Sequence, residues 1–309
     1  MESVVENTEE LQFQPPAYSH VLDLNGFLSP HQNDSALLIL NQKIMVTGVF
    51  EKLWRNYFLH VCADGGANRL YEYFDNDEDR SRHIPDYIVG DLDSVREDVL
   101  RFYIQKGVAI IRQTSQYATD FTKSLQLISL HFFSSSFHKV TRSSGIDTNY
   151  GIEDCHGIHT LYHSERKIWV DRDVDLLVLN AIDGRFDQTI HSITQLYATA
   201  RTDAYYRLCY LTTTDLIMLV PTGGALIKYS KKFKEECIKN CGLLPVGKPS
   251  VIRATRGLKW DVENWPTSII SGKVSSSNRF VGDTCCFFDV EDPMVLNIEL
   301  NLEKLSMFM

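Results

Sequence analysis

The sequence predicts an α/β protein: an N-terminal parallel-sheet α/β domain followed by a C-terminal all-β sandwich domain. Three observations lead there. From residue 36, short apolar runs alternate with amphipathic stretches of helical spacing, the rhythm of parallel strands with helices packed on their faces. After residue 205 the runs are short and separated by segments containing Gly, Pro, Asn or Asp, with little helical pattern, as in a sandwich. The 309 residues, 44% of them hydrophobic, suffice for two buried cores at roughly 100–200 residues per domain.

Residues 1–34 are polar, include Pro15-Pro16, and read as a tail or loosely docked arm. The α/β domain is expected over 35–207. Its runs are Ala36–Leu40, Phe58–Ala63, Asp86–Val89, Val108–Ile111 and Asp175–Ile182. Helices are expected at Gly48–Tyr57, Ala67–Phe74, Ser94–Lys106, Asp120–Phe132 and Asp187–Arg201. The third begins with a capping box, Ser94-x-x-Glu97, and stops at Gly107. Residues 134–172, rich in Ser, His and Asp, break the rhythm and read as an insertion with a short hairpin at Thr160–Val170. The sandwich is expected over 208–309. Its runs are Leu208–Leu211, Leu216–Val220, Leu226–Tyr229, Val251–Thr255, Ser268–Val274, Cys285–Val290 and Val295–Leu300, with one helix near Lys231–Cys237.

Composition excludes some partners. The net charge of −9 repels polyphosphate surfaces, so nucleic acid and anionic membranes are poor partners. No apolar run approaches the roughly 20 residues of a spanning helix. The first 15 residues carry Glu2, Glu6, Glu9 and Glu10 and no basic residue, unlike a signal or transit peptide. Seven scattered cysteines form no disulfide framework, which predicts a reducing, cytoplasmic setting. Cys155-x3-His159-x3-His163 has zinc-like spacing but no fourth ligand.

In open parallel sheets, ligands bind beyond the carboxyl ends of the strands. Those ends here deliver Asp64-Gly65-Gly66-Ala67-Asn68-Arg69, Gly90-Asp91-Leu92-Asp93-Ser94, Gln116-Tyr117-Ala118-Thr119-Asp120 and Gly184-Arg185-Phe186-Asp187. Carboxylates gathered on one edge need a cation, and hard oxygens suit Mg²⁺, which also takes substrate phosphates. Gly65-Gly66 allows a tight turn at a helix start, a seat for phosphate. Arg69 and Arg185 can neutralise phosphate oxygens. Together these features predict a Mg²⁺–nucleotide site. Each turn also has a plainer reading: Asp64-Gly65-Gly66 as a simple turn, and Asp91, Asp93, Asp120 and Asp187 as helix caps. The plain reading weakens because all four turns fall at strand ends.

Rival motifs are weaker. No Gly-x-Gly-x-x-Gly follows a strand. Gly242-Leu-Leu-Pro-Val-Gly247-Lys248 mimics a P-loop, but Pro249 stands where Ser or Thr must hold Mg²⁺. Asp91-Leu92-Asp93-Ser94-Val95 resembles the nucleophile motif of haloacid-dehalogenase-like phosphatases, with Asp91 as nucleophile. That reading stays open, as does a non-catalytic sensor that binds its ligand without turnover.

Asp64-Gly-Gly-Ala-Asn68, Gly90-Asp-Leu-Asp-Ser94, Thr119-Asp-Phe-Thr-Lys123 and Gly184-Arg-Phe-Asp187 stand in the order seen in thiamine pyrophosphokinases. Gly242-Leu-Leu-Pro-Val-Gly247, Thr255-Arg-Gly-Leu-Lys-Trp260 and Ser275-Ser-Ser-Asn278 also resemble that family's C-terminal domain. The resemblance runs from about residue 36 to the C-terminus, and the 134–172 segment resembles an insertion of fungal members.

The resemblance implies a homodimer with active sites at the subunit interface. It implies transfer of the pyrophosphoryl group of ATP to the thiamine hydroxyl, giving thiamine diphosphate and AMP. Domain 35–207 would then bind ATP and Mg²⁺, and domain 208–309 would bind thiamine. Asp64, Asp91, Asp93 and Asp120 would be the metal carboxylates, with Asp187 near the same edge. Gly65, Gly66, Asn68, Arg69, Gln116, Thr119, Lys123 and Arg185 would contact ATP. Trp260, Ser275, Ser276, Ser277 and Asn278 would form the thiamine pocket, an indole face suiting a flat cation. One departure stands out. Many relatives carry Asp-Gln-Asp-x-Thr-Asp where this chain reads Ser115-Gln-Tyr-Ala-Thr-Asp120, so two carboxylates are missing.

Overall fold

In a computed structural model, residues 2–9, 12–14, 20–30, 32–115, 118–143, 157–166, 169 and 172–309 are described. Gln116 and Cys155 lie outside them. The chain divides into two compact units: Gln32–Met45 with Tyr57–Thr189, and Met1–His31 with Val46–Asn56 and Ile190–Met309.

With strands numbered in chain order, the first unit holds β3 (Ser35–Ile39), β4 (Leu59–Ala63), β5 (Tyr87–Gly90), β6 (Ala109–Arg112) and β7 (Val174–Leu179). They form a parallel sheet in the order β7-β3-β4-β5-β6. All residues of β3 and β7 are buried, as expected of central parallel strands covered on both faces. Helices follow at Gly66–Tyr73, Glu97–Gln105 and Asp120–Phe133. The last is capped by Thr119, whose Oγ1 accepts from Thr122 N at 3.3 Å. Because β4, β5 and β6 are neighbours, the turns that leave them lie side by side.

The second unit holds two sheets. One runs β1 (Ser3–Glu6), β13 (Trp260–Thr267), β12 (Ser250–Arg256), β15 (Cys285–Val290), β10 (Ala225–Lys228), β2 (His20–Asp23). The other runs β14 (Ser275–Arg279), β11 (Ile238–Leu244), β16 (Met294–Leu300), β9 (Asp215–Val220), β8 (Tyr206–Leu211). All the pairings are antiparallel except β10 with β2. Strand β9 alternates buried and half-buried residues, the period-two pattern of a sheet with one covered face. Cys241 and Ile298 of one sheet and Ile227, Cys286 and Phe288 of the other are among the fully buried core residues.

Four local expectations are corrected, and one strand was passed over. The capping box is not used: the helix starts at Glu97, and its N-cap Arg96 makes no side-chain cap. The Ser94 hydroxyl donates instead to Asp93 Oδ1 at 2.9 Å. The expected hairpin is a helix, Gly157–Glu165, that buries Ile158, Leu161 and Tyr162, spaced as one helical face. The N-terminal arm is no loose tail. Its strands β1 and β2 pair with β13 and β10, and the helix Leu24–Leu28, capped by Asp23, buries Leu24, Phe27 and Leu28. The run Ser268–Val274 is a turn, closed by Ser268 N donating to Lys273 O at 2.8 Å, with Gly272 at φ +71°. Finally, Gly242 sits inside strand β11, which sequence reading passed over.

Among the described residues no helix is long and apolar enough to cross a membrane. None of the six described cysteines is in a disulfide.

Candidate active site

Asp64 follows β4, Asp91 follows β5, and Asp120 opens the helix after β6. One carboxylate oxygen from each lies within 4.8 Å of the others. The close approach depends on Gly90, the last residue of β5. A Cβ there would stand 2.7 Å from Asp64 Cβ and 3.0 Å from Asp120 Oδ1. Any side chain at 90 would push the carboxylates apart.

Asp64 is buried, and its backbone takes the left-handed conformation at φ +43°. Its Oδ1 is buried with no hydrogen-bond partner. Burial pushes its carboxyl above the usual range; the nearby charges of Asp120 and Asp93 add to this, and hydrogen bonds from Ser94 and Gly65 oppose it. Asp120 Oδ1 accepts from Asp91 N at 3.3 Å and pairs with the buried Lys123 Nζ at 3.0 Å. One lysine cannot neutralise three carboxylates. A divalent cation would both satisfy the orphaned oxygen and offset the repulsion, and hard oxygens fit Mg²⁺.

Asp93 stands outside this trio. It is exposed, accepts from the Ser94 hydroxyl, and donates its N–H to Asp91 Oδ1 at 3.3 Å. Asn68 is buried and spends its amide on the loop after β5: Nδ2 donates to Ser94 O at 2.7 Å, and Oδ1 accepts from Arg96 N at 3.0 Å. Arg69 donates from Nε to Asn41 Oδ1 at 3.0 Å and pairs with Glu72 at 3.0 Å. Gly65 lies against the Asn41 side chain, and Gly66 packs under the Ile39 carbonyl, so the glycine pair lets the helix Gly66–Tyr73 close on the end of β3.

Arg185 and Asp187 follow β7, which lies two strands from β4. They bind each other bidentately at 3.0 and 2.5 Å, both exposed. The Arg185 guanidinium holds the Asp187 carboxyl below its usual range. They are not part of the carboxylate trio.

In the second unit, Trp260 and Asn278 are joined. Asn278 Oδ1 accepts from Trp260 N at 3.1 Å, and its Nδ2 donates to Trp260 O at 2.9 Å. Asn278 is buried, while the indole of Trp260 remains partly exposed under the Lys259 ammonium, 4.5 Å from the ring centroid. Ser275, Ser276 and Ser277 lie on β14, with Ser277 at φ +58°. Sequence reading missed that Asn278 grips the backbone of Trp260.

Sequence reading also missed Asn41 and Asn180. Asn180, just past β7 at φ +67°, donates to Leu40 O at 3.1 Å and Gln42 O at 2.6 Å, fixing the end of β3. Both follow apolar runs, as the acidic turns do, but carry no charge to draw notice.

A parallel sheet with carboxylates gathered past its strand ends, in one chain with a two-sheet β unit, defines the class of two-unit proteins with an acidic, cation-ready strand edge. The thiamin pyrophosphokinase catalytic domain matches residues 50–207, and the thiamin pyrophosphokinase vitamin B1 binding domain matches residues 227–295. Thiamine pyrophosphokinase of Saccharomyces cerevisiae is 48% identical over 100% of this chain and 99% of its own length. The crystal structure of yeast thiamin pyrophosphokinase superposes with a TM-score of 0.93 at 47% identity, covering 99% of this chain and 100% of that one. Thiamin pyrophosphokinase from Candida albicans gives 0.84 at 39% identity, covering 97% and 99%. The chain belongs to the thiamine pyrophosphokinase family. It is an enzyme that uses ATP and thiamine, which sets aside the phosphatase and sensor readings.

Proposed function

We propose that this chain makes thiamine diphosphate and AMP from thiamine and ATP, with Asp64, Asp91 and Asp120 as the Mg²⁺–ATP ligands. The observation that carries the site assignment is the meeting of three carboxylates around a buried, partnerless Asp64 oxygen. When bound, Mg²⁺ would neutralise phosphate charge and orient the triphosphate.

The chain's own residues do the rest. Lys123 balances part of the charge on Asp120 from behind. Asn68 holds the loop that carries Asp91, so it is a positioning residue and not a ligand of ATP. Asp93 braces Asp91 and lies near enough to Asp64 to bind the metal shell through water. Thr119, Arg69, Gly65 and Gly66 line the nucleotide side of the same edge in this reading. Arg185 exchanges Asp187 for phosphate oxygens, and Asp187 then turns toward the thiamine end. The thiamine hydroxyl attacks the β-phosphorus in line; its oxygen–phosphorus bond forms as the bond from that phosphorus to the AMP oxygen breaks, and the hydroxyl proton passes to water. Trp260 stacks the cationic vitamin, and Ser275, Ser276 and Ser277 offer hydroxyls to its polar edge.

Family resemblance supports a homodimer in which two copies complete each other's sites. The cysteine usage supports a cytoplasmic setting. Incubation with thiamine, ATP and Mg²⁺ tests the reaction. AMP must form in step with thiamine diphosphate; ADP in its place overturns the reading. Light scattering tests the dimer, and a monomer at working concentration would remove it.

A further inference from the structure

The N-terminal segment grips the turn between β12 and β13 and the start of β13, where Trp260 stands. Strand β1 pairs with β13 in a register that sets Glu6 opposite Trp260. Just beyond it, Asn7 makes three hydrogen bonds to that stretch. Its backbone N–H donates to Lys259 O at 2.7 Å, and its Nδ2 donates to Leu258 O at 2.7 Å and to Asp261 Oδ2 at 2.8 Å.

Asp261 is the hub of that stretch. It is buried, and it also accepts from Thr255 Oγ1 at 2.9 Å, Gly257 N at 3.1 Å and Leu258 N at 3.1 Å. Such a carboxylate, saturated with donors, freezes the backbone around it. Gly257 needs its φ of +87°, and a Cβ there would stand 3.0 Å from the Phe13 ring, a second contact from the N-terminal segment. Trp260 therefore has its peptide group fixed from one side by Asn278 and its neighbours on both sides, Lys259 and Asp261, fixed by Asn7. Glu6 reaches Lys259 Nζ at 3.8 Å, on the cation that lies over the indole.

We infer that Asn7, acting through Asp261, is a positioning residue for the Trp260 platform, so that the N-terminal segment sets thiamine affinity without touching thiamine. This rests on the reading of Trp260 as the thiamine platform. An indole held on both flanks meets the flat cation without having to be ordered first, and that preorganisation is what Asn7 supplies.

The test uses the full chain. Asn7→Ala is expected to raise the thiamine KM about tenfold, the factor that one charge-assisted hydrogen bond commands, while kcat and the ATP KM stay within about twofold. Asn7→Ser, a milder change, keeps the test open if the alanine variant folds poorly, and should show the same split to a smaller degree. Glu2→Gln, which removes an ion pair to Lys273 just before the same strand, should leave all three parameters unchanged. Trp260→Ala separates the two ideas. If it raises the thiamine KM and the Asn7 variants do not, the positioning role fails while the platform stands. If it leaves the thiamine KM unchanged, the platform fails and takes the positioning role with it. An equal fall of kcat in the Asn7 and Glu2 variants would mark a merely structural strand and also overturn the inference.

Discussion

The peptide N–H of Asp91 donates to Asp120 Oδ1 at 3.3 Å, tying the end of one strand to the first turn of the helix that follows its neighbour. The bond aims the Asp120 carboxylate at the turn that carries Asp91, while Gly90 leaves room for Asp64 beside both. The geometry of the trio is thus a property of backbone positions as much as of acidic side chains.

Gly90→Ala tests this directly. The added methyl would press on Asp64 Cβ and Asp120 Oδ1. Turnover is expected to fall about a hundredfold, as for displacements of about 1 Å at a reacting centre. Steady-state rates across a Mg²⁺ titration read the effect; a variant with normal kcat would show that the trio tolerates spreading.

Asp64→Asn separates metal binding from folding. Because burial raises the folded-state carboxyl, the folded protein holds the proton more tightly than the unfolded chain. Stability therefore falls as pH rises from the ordinary carboxylate range through the folded value, and the cost persists at neutral pH. The amide removes it. The metal-free variant should melt higher than the parent at pH 7. It should also lose the upward shift that Mg²⁺ gives the parent. Melts at pH 4 and 7, with and without Mg²⁺, decide it.

Asn68→Ala leaves Ser94 O and Arg96 N without their side-chain partner. The expected cost is about 2 kcal/mol of stability. Turnover should fall more than ATP affinity, since the loop carrying Asp91 loses its clamp. Denaturant titration with parallel kinetics measures both, and a change in ATP KM alone would make Asn68 a direct ligand.

His131 predicts the acid limb of stability. Burial, with His138 beside it, pushes its imidazole down to about 4, and its Nδ1 lies 3.1 Å from the Tyr87 hydroxyl. The unfolded chain takes up this proton near the ordinary value of about 6.5. The contribution is therefore complete above that pH and lost as pH falls toward 4. His131→Phe should flatten the stability profile by about one proton across that window, read by denaturant unfolding at half-unit steps.

Much of this was legible in sequence. Periodicity placed β3 through β7 and four of the helices between them to within about three residues, but it passed over the helices Asp77–Arg82 and Ser135–Ser143. The acidic turns stood where open sheets bind ligands. What failed was nonlocal. The helix Gly157–Glu165 was misread because flanking polar residues outweighed the spacing of Ile158, Leu161 and Tyr162. The arm was misread because β1 and β2 have almost no buried residues of their own; they are strands only because β13 and β10 offer edges to pair with. The hold of the Asn278 amide on the Trp260 backbone, across 18 positions, also went unread.

By itself the sequence determined the two-part architecture, the family motifs and the position of every carboxylate at a strand end, because each depends on residues close together in the chain. Tertiary structure decided which of them meet. The strand order β7-β3-β4-β5-β6 makes β4, β5 and β6 adjacent, so Asp64, Asp91 and Asp120 gather, while Arg185 and Asp187, past β7, are left to pair with each other. It also decided that Asn7 reaches Asp261 across 254 positions of sequence. Strand pairing creates neighbours that no local pattern encodes, and buried polar groups find their partners only once those neighbours exist.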